Sequence, residues 1–279
     1  MRTSGKQPLV YVNCPCRVGE SPRWRQADRS LYWVDIAGGA YFRHRDGTPA
    51  VEYERADPQL GKIGSLAFAG QDRMYLFAEK CRIWGCRFGR EPSLVAELAG
   101  YDARRFNDVW EDAGSFFCGI AQTPDCRGEL WLWRGGKFTC LERDLTGMPN
   151  GIGVSPDGKT LYFIVSDERR IYAYDYARTV GALSNKRILC ADFRGSGVPD
   201  GLAVDPLDGS IYVAIWGGAR VEKRSPDGSL AATLEMPCEL VTSVAVEGRR
   251  LFVTTGNKAD DFEQNHRMTG AGAVFCIDI

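Results

Sequence analysis

Glu20, Asn150 and Asp200 lie far apart in the chain and together form an all-oxygen set of two carboxylates and one amide carbonyl. Such a set suits a hard or borderline divalent cation: Ca2+, Mg2+, Mn2+ or Fe2+, or Zn2+ in an open site. Three protein ligands would leave positions for water and substrate, which is the catalytic rather than the structural pattern. A second reading stays open at this point. Asn150-Gly151 and Asp200-Gly201 are also common turn pairs, and composition and spacing alone lean towards turns. Arg105 can donate a fork of hydrogen bonds to hydroxyls or to a carbonyl, or it can pair at the surface with Asp102 or Asp108. Asn107 can both donate and accept, which suits a hydroxyl, or it can cap a strand. A Ser-His-Asp triad would need His44 or His266, the two histidines of the chain. Neither lies near a nucleophile elbow. His44, among Arg43, Arg45 and Asp46, reads as an exposed turn, and His266 falls in a charged late segment.

These residues need a scaffold that brings them together, and the chain carries one in its repeats. Six segments place a small or polar residue before a short strand, a turn and a second strand; the equivalent positions are Glu20, Gly64, Asn107, Asn150, Asp200 and Thr242. The steps between them are 44, 43, 43, 50 and 42 residues. A period in the forties with strand–turn–strand content marks a propeller blade. The expectation is an all-β, six-bladed β-propeller formed as a single domain over residues 1–279. A propeller is radial, so equivalent positions point at one axis and distant side chains converge without any local motif. Hairpin chemistry supports this: Asp46-Gly47, Ser155-Pro156-Asp157-Gly158, Asp205-Pro206-Leu207-Asp208-Gly209 and Ser225-Pro226-Asp227-Gly228 are turn sequences. No segment sustains a 3.6-residue apolar period, so helices should be few. The strand at 273–279 should close the ring by pairing with strands of blade one near the N-terminus, because an open edge is a liability. Two irregular stretches, 121–128 and 257–269, either border the site or are solvated loops. Trp24 and Trp216, just after axial positions, are candidates for a sugar-stacking wall.

Composition narrows the partners. The chain has 279 residues, 44% of them hydrophobic, enough for a sizeable core. The net charge of −1 supplies no basic field for nucleic acid or an anionic membrane. No apolar run approaches the ~20 residues that span a bilayer. Residues Met1 to Pro8 are polar and lack a signal-peptide core, so a cytoplasmic location is the expectation. The ten cysteines include no C-x-x-C pair, and several sit inside apolar strands. Reduced thiols acting as small hydrophobes are the expectation, with a Cys14–Cys16 disulfide as the alternative.

The motifs also carry a resemblance. Gly19-Glu20-Ser21-Pro22-Arg23-Trp24 with Leu31-Tyr32-Trp33-Val34-Asp35-Ile36, Arg105-Phe106-Asn107-Asp108, Pro149-Asn150-Gly151-Ile152, Ser155-Pro156-Asp157-Gly158 with Leu161-Tyr162, and Pro199-Asp200-Gly201 follow one another over nearly the whole chain. In this order and spacing the chain resembles the sugar-lactonase family of gluconolactonases and senescence marker protein 30. The resemblance implies a six-bladed propeller with one divalent ion near the axis, held by Glu20, Asn150 and Asp200. It carries substrate-hydroxyl binding to Arg105 and Asn107, and places Gln122 near a position where some members have a carboxylate that touches substrate. It also implies hydrolysis of an aldono-1,4- or 1,5-lactone to the aldonic acid, with Asp200 as general base. The chain departs from the family pattern at Cys118-Gly119-Ile120-Ala121, where many members have Gly-Thr-Met. It departs again at Phe163-Ile164-Val165-Ser166, where members often have an Asp. The rival readings are a non-enzymatic propeller that binds Ca2+ or a partner protein, and a related esterase or phosphotriesterase.

Overall fold

The structure is a computed structural model that describes residues 7–55, 58–70 and 73–279. Most of the polar N-terminal stretch considered above, residues 1–6, lies outside the described residues. The strands form six four-stranded antiparallel sheets. In five of them the strands follow chain order from the inside outward, beginning at Gly19–Arg25, Ile63–Ala69, Phe106–Asp112, Pro149–Val154 and Val198–Val204. The sixth begins at Val241–Glu247, continues through Arg250–Thr255 and Val274–Asp278, and is completed by the N-terminal strand Leu9–Val12. This is a six-bladed β-propeller.

Ring closure differs from the sequence expectation in one respect. Val274–Asp278 does pair with a strand near the N-terminus, with Val10 opposite Phe275. That strand, however, is the outermost strand of blade six and not part of blade one. The chain thus begins by covering the edge that its last strand would leave open, then crosses to the axis to start blade one.

The packing follows from two-sided burial. The second strand of each blade lies in the middle of the stack, and Ser30–Asp35 and Ser115–Ile120 are buried at every position. Such strands read as continuous apolar runs because both faces meet a neighbouring blade. The outermost strands are exposed, as in Ser93–Glu97 and Ala182–Cys190.

The inner strands carry the feature that matters for function. Each has a register shift near its start: after Glu20, at Gly64, at Asn107-Asp108, at Asn150-Gly151, at Asp200-Gly201 and at Thr242. An extra residue on one strand bends it and re-aims a side chain. The turn reading of Asn150-Gly151 and Asp200-Gly201 is therefore replaced by bulged strand. Their glycines serve close approach: a Cβ on Gly151 would lie 2.6 Å from the Leu202 nitrogen, and one on Gly201 would lie 2.2 Å from Ser243 Oγ. Six inner strands crowding one axis leave no room for it there.

The stretch 257–269 is less irregular than expected, because Phe262–Thr269 is a helix. The Asp261 side chain accepts from the Gln264 N–H at 2.9 Å, and Gly270 ends the helix in a left-handed conformation. Among the described residues no helix is long and apolar enough to cross a membrane.

Candidate functional site

The bulged starts of the inner strands surround a cavity of about 440 Å3 at the propeller axis. Glu20, Arg105, Asn107, Gln122, Asn150 and Asp200 all line it. Blades one, three, four and five thus contribute polar groups from points as far apart as residues 20 and 200. Trp216 also lines the cavity, whereas Trp24 does not. The Trp24 indole stacks on Phe252, with ring centroids 5.4 Å apart, under the Arg250 guanidinium. It belongs to the packing between blades one and six.

A chain of hydrogen bonds fixes the amides. Arg105 Nη1 donates to Asn107 Oδ1 at 2.6 Å and to the Phe106 carbonyl at 2.9 Å. Asn107 Nδ2 donates to the Pro149 carbonyl at 2.8 Å and also to Asn150 Oδ1. Asn150 Nδ2 donates to Ser166 Oγ at 2.6 Å, and that hydroxyl donates to the Pro199 carbonyl at 2.6 Å. Ser166 therefore turns the Asn150 amide so that its carbonyl oxygen faces away from the hydroxyl. Both Nδ2 hydrogens of Asn107 are taken by protein acceptors, which leaves its oxygen as the group with spare capacity. Arg105 makes these bonds in place of the surface ion pair with Asp102 or Asp108 that its sequence context allowed.

The electrostatics are dominated by buried acids. Burial, then the neighbouring charges of Asp108 and Asp200, push the Glu20 carboxyl well above its ordinary range; the Ser21 N–H, 2.8 Å away, pulls the other way. Asp200 is likewise pushed well up, first by burial and then by Asp108, against Arg105 and Lys258. Burial raises Asp108 to about 6, with Arg23 and Arg105 opposing. Burial also lowers both guanidiniums. The cluster holds three buried carboxyls beside two partly buried guanidiniums. Among the described residues no hydrogen-bond donor reaches the Asp200 carboxylate. Acids arranged like this are short of positive charge, which is what a divalent cation supplies. The described residues contain no group of three or more His, Cys, Asp or Glu arranged for a metal. The set here has an amide as its third member.

Sequence reading missed four contributors. Asp108, which is buried, and Arg23, which is half-buried, both act on the charged cluster around Glu20, yet the sequence context suggests Asp108 only as a partner of Arg105 and gives Arg23 no role. The signal was present, since Asp108 directly follows the axial Asn107. Ser166 had appeared only as a departure from the family pattern. Lys258 sits in the charged stretch after Asn257, with its Nζ 4.7 Å from the centre of the Trp216 ring. Gln122 reaches the cavity from the irregular stretch after Ala121 and donates to Asp167 Oδ2 at 3.2 Å. His44 is not in an exposed turn: it lies in the strand Ala40–Arg45, buried edge-on to Tyr11. Neither histidine lines the cavity, and all ten cysteines are free thiols.

Comparison with known proteins bears on this geometry. Residues 18–257 match the family model described as the SMP-30/Gluconolactonase/LRE-like region. The chain is 32% identical to Pentonolactonase XacC of Haloferax volcanii, over 96% of this chain and 93% of that protein. It is 30% identical to Regucalcin of Danio rerio, over 96% of this chain and 94% of that protein. A solved structure described as a calcium-binding protein, regucalcin, from Agrobacterium tumefaciens superposes with a TM-score of 0.89 at 23% identity, over 100% of this chain and 96% of that one. This last likeness speaks for the fold.

Proposed function

The chain belongs to the SMP-30/gluconolactonase/LRE-like family, and from that premise we propose that it hydrolyses a sugar lactone, an aldono-1,4- or 1,5-lactone of a pentose or hexose, to the aldonic acid with the help of one divalent cation. The observation that carries the reading is the meeting of Glu20, Asn150, Asp200, Arg105 and Asn107 in one cavity, in a chain 32% identical to a pentonolactonase along nearly its whole length. Glu20, Asn150 and Asp200 would hold the cation. Their fit rests on the mutually repelling buried acids and on the Asn150 oxygen that Ser166 orients. When bound, a divalent cation supplies Lewis acidity that polarises the ester carbonyl and favours the developing oxyanion.

The chain's own residues account for the rest. Arg105, whose guanidinium is steadied on Asn107 and the Phe106 carbonyl, offers its remaining N–H groups to ring hydroxyls or to the carbonyl. Asn107 Oδ1 accepts from a hydroxyl, and Gln122 contacts the sugar from the rim. A carboxylate oxygen of Asp200 takes the proton from the water that attacks the lactone carbon. As the ring C–O bond breaks, Asp200 returns the proton to the departing alkoxide, leaving a hydroxy acid. Burial keeps this carboxylate more basic than an exposed one, while a bound cation would act in the opposite direction.

The test is dialysis against a chelator, followed by proton-release assays on gluconolactone and pentonolactones with Ca2+, Mg2+, Mn2+, Fe2+ and Zn2+ added singly. Turnover restored by at least one ion is expected. Absence of turnover with every pair would overturn the enzyme reading. It would favour a propeller that only binds Ca2+, the property attached to the Agrobacterium neighbour.

A further inference from the structure

A second cavity of about 350 Å3 adjoins the first. Lys62, Arg105, Gln122 and Met148 line both, so the two share a wall at the place assigned to hydroxyl contacts. The first cavity alone already falls within the ~300–1,000 Å3 that house whole small molecules. A single lactone ring therefore does not need the second.

The lining of the second cavity defines what it suits. Its other residues include Glu79, Lys80, Asp102, Arg104 and Thr123, with apolar surface from Ala103, Ala121 and the shared Met148. Among the described residues, the side chains of Lys62, Glu79, Lys80 and Asp102 make no ion pair or side-chain hydrogen bond with one another. Arg104, which also lines the cavity, is neutralised by Glu129, and Arg105 is held towards Asn107 and the axial acids. The remaining Lys62 and Lys80 are matched by Glu79 and Asp102, so neither a strong anion nor a cation is preferred. An alkyl chain would strip water from these charged groups and return nothing. Hydroxyls, which both donate and accept, match them.

The wall is also rigid. Arg104 is buried, with Nη1 donating to Glu129 Oε1 at 2.9 Å and Nη2 to the Ala121 carbonyl at 3.2 Å. The Ala121 N–H donates to the Arg105 carbonyl at 3.0 Å. The 102–105 and 121–123 segments of the cavity are thus tied together independently of any ligand.

We propose that this second cavity is a subsite for a further polyhydroxylated unit carried by the lactone, so that the protein accepts glycosylated aldonolactones as well as single sugars. The inference rests on the lactonase reading above. It extends it to substrate class: the acceptor ring sits at the axis, and its glycosyl substituent passes Arg105 and Gln122 into the space between blades two and three.

The experiment compares xylonolactone, gluconolactone, two glucosyl-gluconolactones linked through O4 or O6, and an alkyl-substituted lactone, on the wild-type protein, Ala103→Trp and Asp102→Ala. Ala103 and Asp102 are exposed and contribute nothing to the axial cavity, so both variants should fold. At least one glucosyl-gluconolactone should be hydrolysed with kcat/KM equal to or above that of gluconolactone, and the alkyl lactone should be poorer. Ala103→Trp should lower kcat/KM for the glucosyl compound tenfold or more while leaving xylonolactone within twofold. Asp102→Ala should act in the same direction, by severalfold. If single-sugar lactones turn over but both glucosyl compounds do not, or if Ala103→Trp affects all substrates alike, the subsite does not exist. If no lactone turns over, the lactonase reading falls. Calorimetry with glucosyl-gluconate against gluconate then decides the subsite separately: tighter binding of the former, abolished by Ala103→Trp, supports it, and equal binding overturns it.

Discussion

Blades one, three, four and five place Glu20, Asn107, Asn150 and Asp200 at the axis, whereas blades two and six place Gly64 and Thr242 at the same repeat position. The backbone does the same thing in all six, with a register shift near the start of the inner strand. The side chains do not. Gly64 is there because the Phe106 carbonyl comes so close that a Cβ would lie 2.0 Å from it. Thr242 is completely buried and turns its hydroxyl to the Gly19 carbonyl at 2.5 Å, with the Thr254 hydroxyl 2.9 Å away. The radial frame is symmetric and the chemistry is not: four blades present polar groups to the axis at this position, and the two that flank blade one spend it on packing against the next blade. Equivalent position in a repeat licenses proximity to the axis, and the local contacts decide the task.

The sharpest way to break this division is Asp200→Asn. It keeps the shape but removes both a negative charge from the proposed ligand set and the proposed base. Activity should fall by more than the ~10^2–10^4 that a general base contributes, since two roles fail together. Initial rates within tenfold of wild type would place the chemistry elsewhere. Glu20→Gln should come next in size. The carbonyl oxygen remains but the anion is lost, so affinity for a divalent ion should drop, with activity partly recovered in excess metal. The β-type circular dichroism spectrum should be unchanged. Unfolding instead would make the ion structural; unaltered calorimetric metal binding would redraw the site around Asn150 and Asp200.

Much of this arrangement could be read from the residues before the coordinates. Repeat spacing gave the blade count because each blade must bury both faces against its neighbours, which forces one apolar strand pattern to recur. Convergence of equivalent positions on the axis follows from the period, whereas the choice of Glu20, Asn150 and Asp200 as a ligand set comes from the family resemblance. What stayed hidden depends on three-dimensional approach. Nothing local distinguishes the glycine of a turn from the glycine of a crowded bulge, so Gly151 and Gly201 were ambiguous. Asp108 and Arg23 are neighbours only through the axis. His44 looked exposed because its sequence neighbours are charged, although Tyr11 of the closing strand covers it. The helix at Phe262–Thr269 did have legible signals in Asp261 and Gly270. Its lack of any buried residue removed the apolar periodicity that would have revealed it.

Two further substitutions sharpen the comparison from its two sides. Asn107→Ala should raise KM or lower kcat while leaving metal affinity close to normal, because the residue's nitrogen is spent on Pro149 and Asn150 and its oxygen faces Arg105. A large loss of affinity by calorimetry would make Asn107 a ligand. Gly64→Ala lies where blade two packs against blade three. The methyl must displace the Phe106 backbone, at a cost of about 1–3 kcal/mol, read as a lower Tm. Because Phe106 adjoins Arg105 and Asn107, some loss of kcat should accompany it. Metal affinity should change less than kcat, since of the three proposed ligands only Asn150 touches the displaced segment, through Asn107. Unchanged thermal stability would mean that the close approach is easily relieved and that Gly64 is not required there.

Thr242→Val should have the smallest effect on activity and is the cleanest probe of the seam between the last blade and the first. Valine reproduces the shape of threonine and removes only the hydroxyl. The Gly19 carbonyl, one residue before Glu20, then loses a buried donor, and leaving such an acceptor unsatisfied costs about 1–3 kcal/mol. The bond joins residues 223 positions apart and links the inner strand of the last blade to that of the first, so its loss weakens the seam of the ring rather than any single blade. The expected result is a lower midpoint in urea with an unchanged slope, and kcat within threefold of wild type once metal is saturating. The slope matters because the same surface should still unfold in one step. A tenfold or greater fall in kcat at unchanged stability would show that Thr242 acts on Glu20 through Gly19, and the division between blades that present polar groups and blades that pack would no longer hold.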